Sequence, residues 1–155
     1  MLIVWFFPST LFTFNILSLN IHLLILHSCC QTFFYCSALR HLYLKECEIQ
    51  LPWFFKGFNK LIRLKFKCVT LSSNTFEILI SNNTLLEDLV LKDIDNPYLV
   101  STNAPKLRSF VFRGDIQLIY LENVHVLSNV LYAPWELVLE DKDDFVSIFS
   151  SIHAL

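Results

Sequence analysis

The phrase Leu-x-x-Leu-x-Leu recurs along this chain, and its spacing constrains the fold more than any other feature. It reads Leu39-Arg40-His41-Leu42-Tyr43-Leu44, then Leu61-Ile62-Arg63-Leu64-Lys65-Phe66, then Leu86-Glu87-Asp88-Leu89-Val90-Leu91, then Leu107-Arg108-Ser109-Phe110-Val111-Phe112. The first positions fall at 39, 61, 86 and 107, offsets of 22, 25 and 21 residues. Side chains alternate along an extended chain, so positions four and six of each phrase face one way. One such unit cannot bury its apolar face alone, but units stacked side by side can.

A strand plus a return segment, repeated at this period, predicts an α/β leucine-rich-repeat solenoid. Its strands are expected to be short and parallel, on the concave face, with irregular or short helical returns and right-handed crossovers. Leu42 and Leu44, Leu64 and Phe66, Leu89 and Leu91, and Phe110 and Phe112 are the expected core stack. The intervening side chains form the candidate partner-binding row. They are His41, Tyr43 and Lys45 in the first unit, and Arg63, Lys65 and Lys67 in the second. Asp88, Val90 and Lys92 follow in the third, and Ser109, Val111 and Arg113 in the fourth. A further unit is read at Leu127-Ser-Asn-Val130-Leu-Tyr132, and a weaker leading one at Phe14-Asn-Ile-Leu17-Ser-Leu19. This gives a repeat domain over 14–155 of about five to six units. Residues 1–13 are an apolar segment of no evident role.

The returns differ in character. Asn74 to Ile80 reads as a short helix with Asn74 as N-cap. Leu51-Pro52-Trp53-Phe54-Phe55 reads as irregular because of its proline. Asn96-Pro97 and Ala104-Pro105 mark turns before a strand. Asp143 to Ile152 reads as an amphipathic helix with Phe145, Ile148, Phe149 and Ile152 on one face.

The charges leave the N-terminal quarter empty: no Asp, Glu, Lys or Arg precedes Arg40. Three readings of that segment stand. A signal peptide would need a basic start and a small-residue cleavage site, and Ser28-Cys29-Cys30 is a poor one. A membrane helix would use Leu11 to Leu26, which Thr13, Asn15, Ser18, Asn20 and His22 interrupt. A degenerate leading repeat, or sequence foreign to the parental protein, is the third. The 25-residue offset from Phe14 to Leu39 favours a repeat.

No chemical site emerges. The two glycines, Gly57 and Gly114, sit in no phosphate-binding loop. A net charge of −2 gives no general pull toward nucleic acid. Cys29, Cys30, Cys36, Cys47 and Cys68 include no Cys-x-x-Cys pair, so they read as reduced, buried thiols rather than zinc ligands. Cys47 falls where a small polar side chain can serve the turn out of the strand. His22, His27, His41, His125 and His153 have no metal-binding spacing, and Asp141, Asp143 and Asp144 lack the rest of a calcium loop. No cofactor, metal or catalytic group is expected, and the chain reads as a non-enzyme. Asn82-Asn83-Thr84 is a formal glycosylation acceptor. Lys56, Lys60, Arg63, Lys65 and Lys67 form a basic group, read first as a solvated face and second as a docking patch. With Glu87 and Asp88 in the next unit, the face is expected to change sign from strand to strand.

Leu39 to Cys47, Phe55-Lys-Gly-Phe58, Cys68-Val-Thr70, Leu85 to Leu89 and Ala104 to Ser109 together resemble the repeat region of plant F-box/FBD/leucine-rich-repeat proteins. The resemblance covers roughly residues 34–155. It implies a substrate-recognition role in an SCF-type E3 ubiquitin ligase, with a protein substrate of unknown identity. A Skp-type adaptor would be reached only through an F-box, and neither an F-box nor an FBD module is read here. The chain ends at Leu155, where a further unit would begin, so it reads as a fragment. The expected compartment is the cytoplasm or nucleus, with a membrane as the alternative through Leu11 to Leu26.

Overall fold

The structure is a computed structural model, and it describes residues 16–20, 32–95, 98–101, 103–114 and 118–133. Six strands form one parallel sheet. They are β1 (Ile16–Asn20), β2 (His41–Glu48), β3 (Arg63–Thr70), β4 (Asp88–Lys92), β6 (Ser109–Arg113) and β8 (Asn129–Ala133). Their order in the sheet is their order in the chain. Between them lie a 3₁₀ turn at Thr32–Tyr35, the helix α1 (Ser73–Ser81), and two return strands, β5 (Tyr98–Ser101) and β7 (Leu118–Leu121).

The register of the sheet is the period of the sequence. Leu42 lies opposite Leu64, Leu64 opposite Leu89, Leu89 opposite Phe110, and Phe110 opposite Val130. At the leading edge Leu17 lies opposite Leu42 and Leu19 opposite Leu44. Ile16–Asn20 therefore runs as strand in the middle of the Leu11–Leu26 stretch. Among the described residues no helix is long and apolar enough to cross a membrane.

Backbone hydrogen bonds repeat with the same period and explain the first leucine of each phrase. The amides of Leu39, Leu61, Leu86, Leu107 and Leu127 each donate to the carbonyl three residues earlier. That turn tucks the leucine under the sheet just before the strand begins. Leu39, Leu61 and Leu107 are wholly buried there. The next residue-level device links unit to unit. The Arg40 carbonyl accepts from Ile62 and Arg63 at 2.8 and 3.0 Å, and Ile62, Glu87 and Arg108 repeat the arrangement toward the following unit.

Positions four and six carry the core, as the alternation requires. Leu64, Phe66, Leu89, Leu91, Phe110 and Phe112 are fully buried. Cys47 shares its place in the repeat with Val69 and Ile94, all three buried, so that position extends the core beyond the phrase. Beneath the first units Phe34, Phe55 and Phe58 pack as an aromatic cluster, with ring centroids 5.1–6.1 Å apart.

Two features of the returns differ from the sequence reading. The N-cap of α1 is Ser72, whose hydroxyl accepts the Thr75 amide at 3.1 Å. Asn74 lies inside the first turn instead. Ser72 is extended, with φ −76° and ψ 158°, and its short hydroxyl already meets one of the helix's unpaired amides. The second feature is strand in the returns. Tyr98–Ser101 and Leu118–Leu121 pair in parallel as a separate two-stranded sheet. They are joined by the Leu107-to-Leu127 offset of 20 residues, since Tyr98 lies opposite Leu118. The irregular reading of Leu51 to Phe55 holds: these residues form turns and no helix. The Asp143–Ile152 segment and the Asn96-Pro97 turn lie outside the described residues.

Candidate recognition surface

The side chains between the core positions emerge on the opposite face of the sheet. Parallel in-register pairing places equivalent positions side by side, so the twelve expected surface residues sort into three rows that cross the strands. Row one is His41, Arg63, Asp88 and Ser109; row two is Tyr43, Lys65, Val90 and Val111; row three is Lys45, Lys67, Lys92 and Arg113. Arg63 and Arg113 are exposed and the other ten are half-buried.

Row one contains two internal contacts. Arg63 donates through Nε and Nη2 to Asp88 Oδ2, at 2.9 and 2.8 Å. Asn129, next in the row, donates to Ser109 Oγ at 3.1 Å. The Arg63 side chain is 57% exposed, which limits the pair to about 0.2–1 kcal/mol.

Row two is the amphipathic one. Lys65 Nζ sits 4.8 Å from the centre of the Tyr43 ring, a cation–π contact. Val90 and Val111 continue the row with apolar side chains.

Row three is cationic at all four positions. Lys45 meets Glu46, its chain neighbour, at 2.6 Å. That hydrogen bond raises the Lys45 pKa above its ordinary value, against a smaller lowering from desolvation. Lys67 and Lys92 have no carboxylate within ion-pair distance among the described residues. The charge pattern of the face thus follows the rows, not the strands. The change of sign from unit to unit is confined to row one, where Arg63 and Asp88 neutralise each other.

The basic group read along the sequence is dispersed by the fold. Lys56 and Lys60 are exposed on the return between β2 and β3, away from the strand residues Arg63, Lys65 and Lys67. Residues with positive φ recur at one place in the repeat: Glu46 at 55° and Cys68 at 52°, inside β2 and β3, and Asp93 at 57° and Gly114 at 132°, just past β4 and β6. This left-handed step follows each row-three cation. The Cys68 thiol points to Asp93 Oδ2, 3.9 Å away, and Thr70 Oγ donates to Asp95 at 2.6 Å.

The remaining candidates stay apart. Cys36 and Cys47 are buried, whereas Cys68 is exposed, contrary to the expectation of buried thiols throughout. Cys68 stands in a left-handed step within β3, which breaks the alternation of the strand and buries its neighbour Val69 instead. His125 is exposed, and Asn82 is exposed at the C-cap of α1. Among the described residues no three His, Cys, Asp or Glu side chains converge as a metal site would require. Cys29, Cys30, His22, His27, His153 and the Asp141–Asp144 group lie outside the described residues.

A parallel sheet with one face sealed by a periodic core and the other covered by no described element, lined by polar and aromatic side chains, defines a leucine-rich-repeat interaction domain. The comparisons with known proteins narrow this. Residues 13–151 match the family model described as FBD-associated F-box protein At5g56370, LRR repeats. The chain is also 34% identical over 112 residues to the F-box/FBD/LRR-repeat protein At1g13570 of Arabidopsis thaliana. That alignment covers 72% of this chain and 26% of the relative, so the chain spans about a quarter of the relative's length. No solved structure matches the chain. The chain belongs to the plant F-box/FBD/leucine-rich-repeat family, within its repeat region.

Proposed function

We propose that this domain is a non-catalytic, substrate-recognising module of an SCF-type E3 ubiquitin ligase receptor, and that the three-row face holds a protein substrate. One observation carries the reading. Parallel sheets are ordinarily covered on both faces, and here Tyr43, Val90 and Val111 line a face that no other described element covers. Half-buried aromatic and aliphatic side chains set among charges are what a protein partner uses for contact area and orientation. The ligase connection rests on the family: the relative is named as an F-box protein, and an F-box docks on a Skp-type adaptor. On this reading the domain works in the cytoplasm or nucleus, where its thiols stay reduced.

The test supplies the adaptor link and asks whether the face chooses targets. The chain is fused behind an F-box module, expressed in plant cells, and protein half-lives are measured across the proteome. A small set of proteins is expected to turn over faster, and the effect should vanish with Val90→Asp/Val111→Asp. Turnover that is indifferent to both substitutions would overturn the proposal.

A further inference from the structure

We propose that the turn at Trp53 and Phe54, with Tyr35 stacked against it, is a second docking site, and that it holds an acidic, proline-bearing segment of a partner protein in polyproline II conformation. The site lies on the return between β2 and β3, so the inference stands apart from the reading of the sheet face.

A lone exposed aromatic residue is ordinary on a protein surface. Trp53 differs because its neighbours fix it. Phe55 donates its amide to the Pro52 carbonyl at 2.9 Å, which closes a turn with Trp53 and Phe54 at its two central positions. Phe55 and Phe58 are buried beside Phe34, and Gly57 lies against the backbone of Asn82, so the turn is anchored from behind. Phe34 and Phe55 are buried, while the next residue of one segment, Tyr35, stacks on the preceding residue of the other, Phe54, with ring centroids 4.6 Å apart and 23° between planes. Trp53 meets Phe54 nearly edge-on, at 5.7 Å and 83°. Tyr35 is 59% exposed and Trp53 96% exposed. The result is a continuous aromatic strip already held in one geometry, so little ordering remains to oppose binding.

Two features define the occupant. The first is the angle between rings. Trp53 and Phe54 form an open corner, and proline-rich segments dock on aromatic-lined surfaces of that kind. Centroid steps of 4.6 and 5.7 Å let the three rings span no more than about 10 Å, close to the ~9.3 Å of one polyproline II turn. Prolines at i and i+3 share one edge of that helix and would reach both ends of the strip. The second feature is charge. Lys56 and Lys60 are exposed on the same return, and the sequence carries no Asp or Glu between Glu48 and Glu77. Carboxylates on the other two edges of the segment complement these lysines. An anionic membrane fits less well, because a bilayer accepts any exposed aromatic group and gains nothing from a fixed corner between rings.

The test uses the 155-residue chain and fluorescein-labelled peptides read by anisotropy. The peptides are repeats of Pro-Glu-Glu, of Pro-Lys-Lys and of Ser-Glu-Glu, and phosphatidylserine vesicles are compared by sedimentation. The Pro-Glu-Glu peptide is expected to bind, with affinity falling as salt rises, and the other two to bind at least about tenfold more weakly. Trp53→Ser should weaken binding about tenfold or more. Lys56→Gln/Lys60→Gln should weaken it and flatten its salt dependence. Val90→Asp/Val111→Asp, on the sheet face, should change it less than about twofold. Trp53→Ser should leave the melting temperature unchanged, because the ring is exposed; a lower one would make Trp53 part of the packing and overturn the inference. Equal binding of the Ser-Glu-Glu peptide, indifference to Trp53→Ser, or binding to the vesicles without binding to the Pro-Glu-Glu peptide would each overturn it as well.

Discussion

Asn83 and Phe58 occupy the same place in consecutive units, and the Asn83 carboxamide oxygen accepts the Phe58 amide at 2.6 Å. The place is three residues before the first leucine of the phrase. Cys36, Phe58, Ala104 and Val124 fill it elsewhere, all buried and none with an amide to spare. Asn83 is itself 1% exposed, and its Nδ2 donates to the Leu79 carbonyl at the end of α1. One buried amide thus ties the helix of one unit to the turn of the unit before. Replacing it with leucine keeps the volume and strands a buried N–H and a helix-end carbonyl. Asn83→Leu is expected to cost about 1–3 kcal/mol in equilibrium denaturation. An unchanged midpoint would mean that water reaches the Phe58 amide.

Gly57 is held by the same junction. Its φ is +98°, and a Cβ built there would stand 2.1 Å from the Asn82 carbonyl oxygen. Both the conformation and the backbone contact exclude a side chain. Gly57→Ala is expected to cost about 2–4 kcal/mol, through left-handed strain and forced separation of the return from the end of α1. The same denaturation experiment measures it.

Leu64 tests the stack itself. It is wholly buried, with Leu42 and Leu89 on either side in the register. Leu64→Ala is expected to cost about 2–5 kcal/mol. A loss well under that range would show that the stack closes over the gap.

How far the sequence reaches can be judged at these same residues. Leu64, Phe66, Leu89 and Leu91 were legible because burial follows a period of two inside a period of 21 to 25, and both are visible without coordinates. Their pairing partners were legible for the same reason: the register equals the repeat offset. The links between the second and third units show how regular this is. Phe58–Asn83, Arg63–Asp88, Cys68–Asp93 and Thr70–Asp95 all span 25 residues, the length of the unit. What escaped was anything set by contact across units rather than pattern within one. Asn83 looked like the middle of a glycosylation acceptor, because its burial depends on a turn 25 residues earlier. The paired strands β5 and β7 escaped because four-residue apolar runs are ambiguous alone; only their 20-residue offset, matched to that of the leucines, pointed to pairing. The cationic row was present in the letters but hidden by reading along each strand, since charge sorts across strands once the register is fixed.

Cys68 offers a direct check on the left-handed step within β3. It is exposed while Cys36 and Cys47 are buried. In the native protein, maleimide should label Cys68 at least about a hundredfold faster than Cys36 or Cys47, which become reactive only on unfolding. Peptide mapping of the labelled sites distinguishes them. Comparable labelling of Cys47 would mean that β2 opens in the native state and that the first unit is not held by its neighbours.

Lys45 holds its proton more tightly because of its chain neighbour. Its ammonium donates to Glu46, and this hydrogen bond, with the Glu46 charge, raises its pKa above the ordinary 10.5. A raised lysine pKa means that the folded protein holds the proton more tightly than the unfolded chain does. The stabilisation is therefore present below the ordinary value and is lost as pH rises through the raised one. Lys45 then keeps its charge across the neutral range. Glu46→Gln should move the Lys45 titration, followed by NMR at its ε-carbon, to lower pH. A Lys45 titration that stays in place in Glu46→Gln would show that the two side chains are not paired in solution.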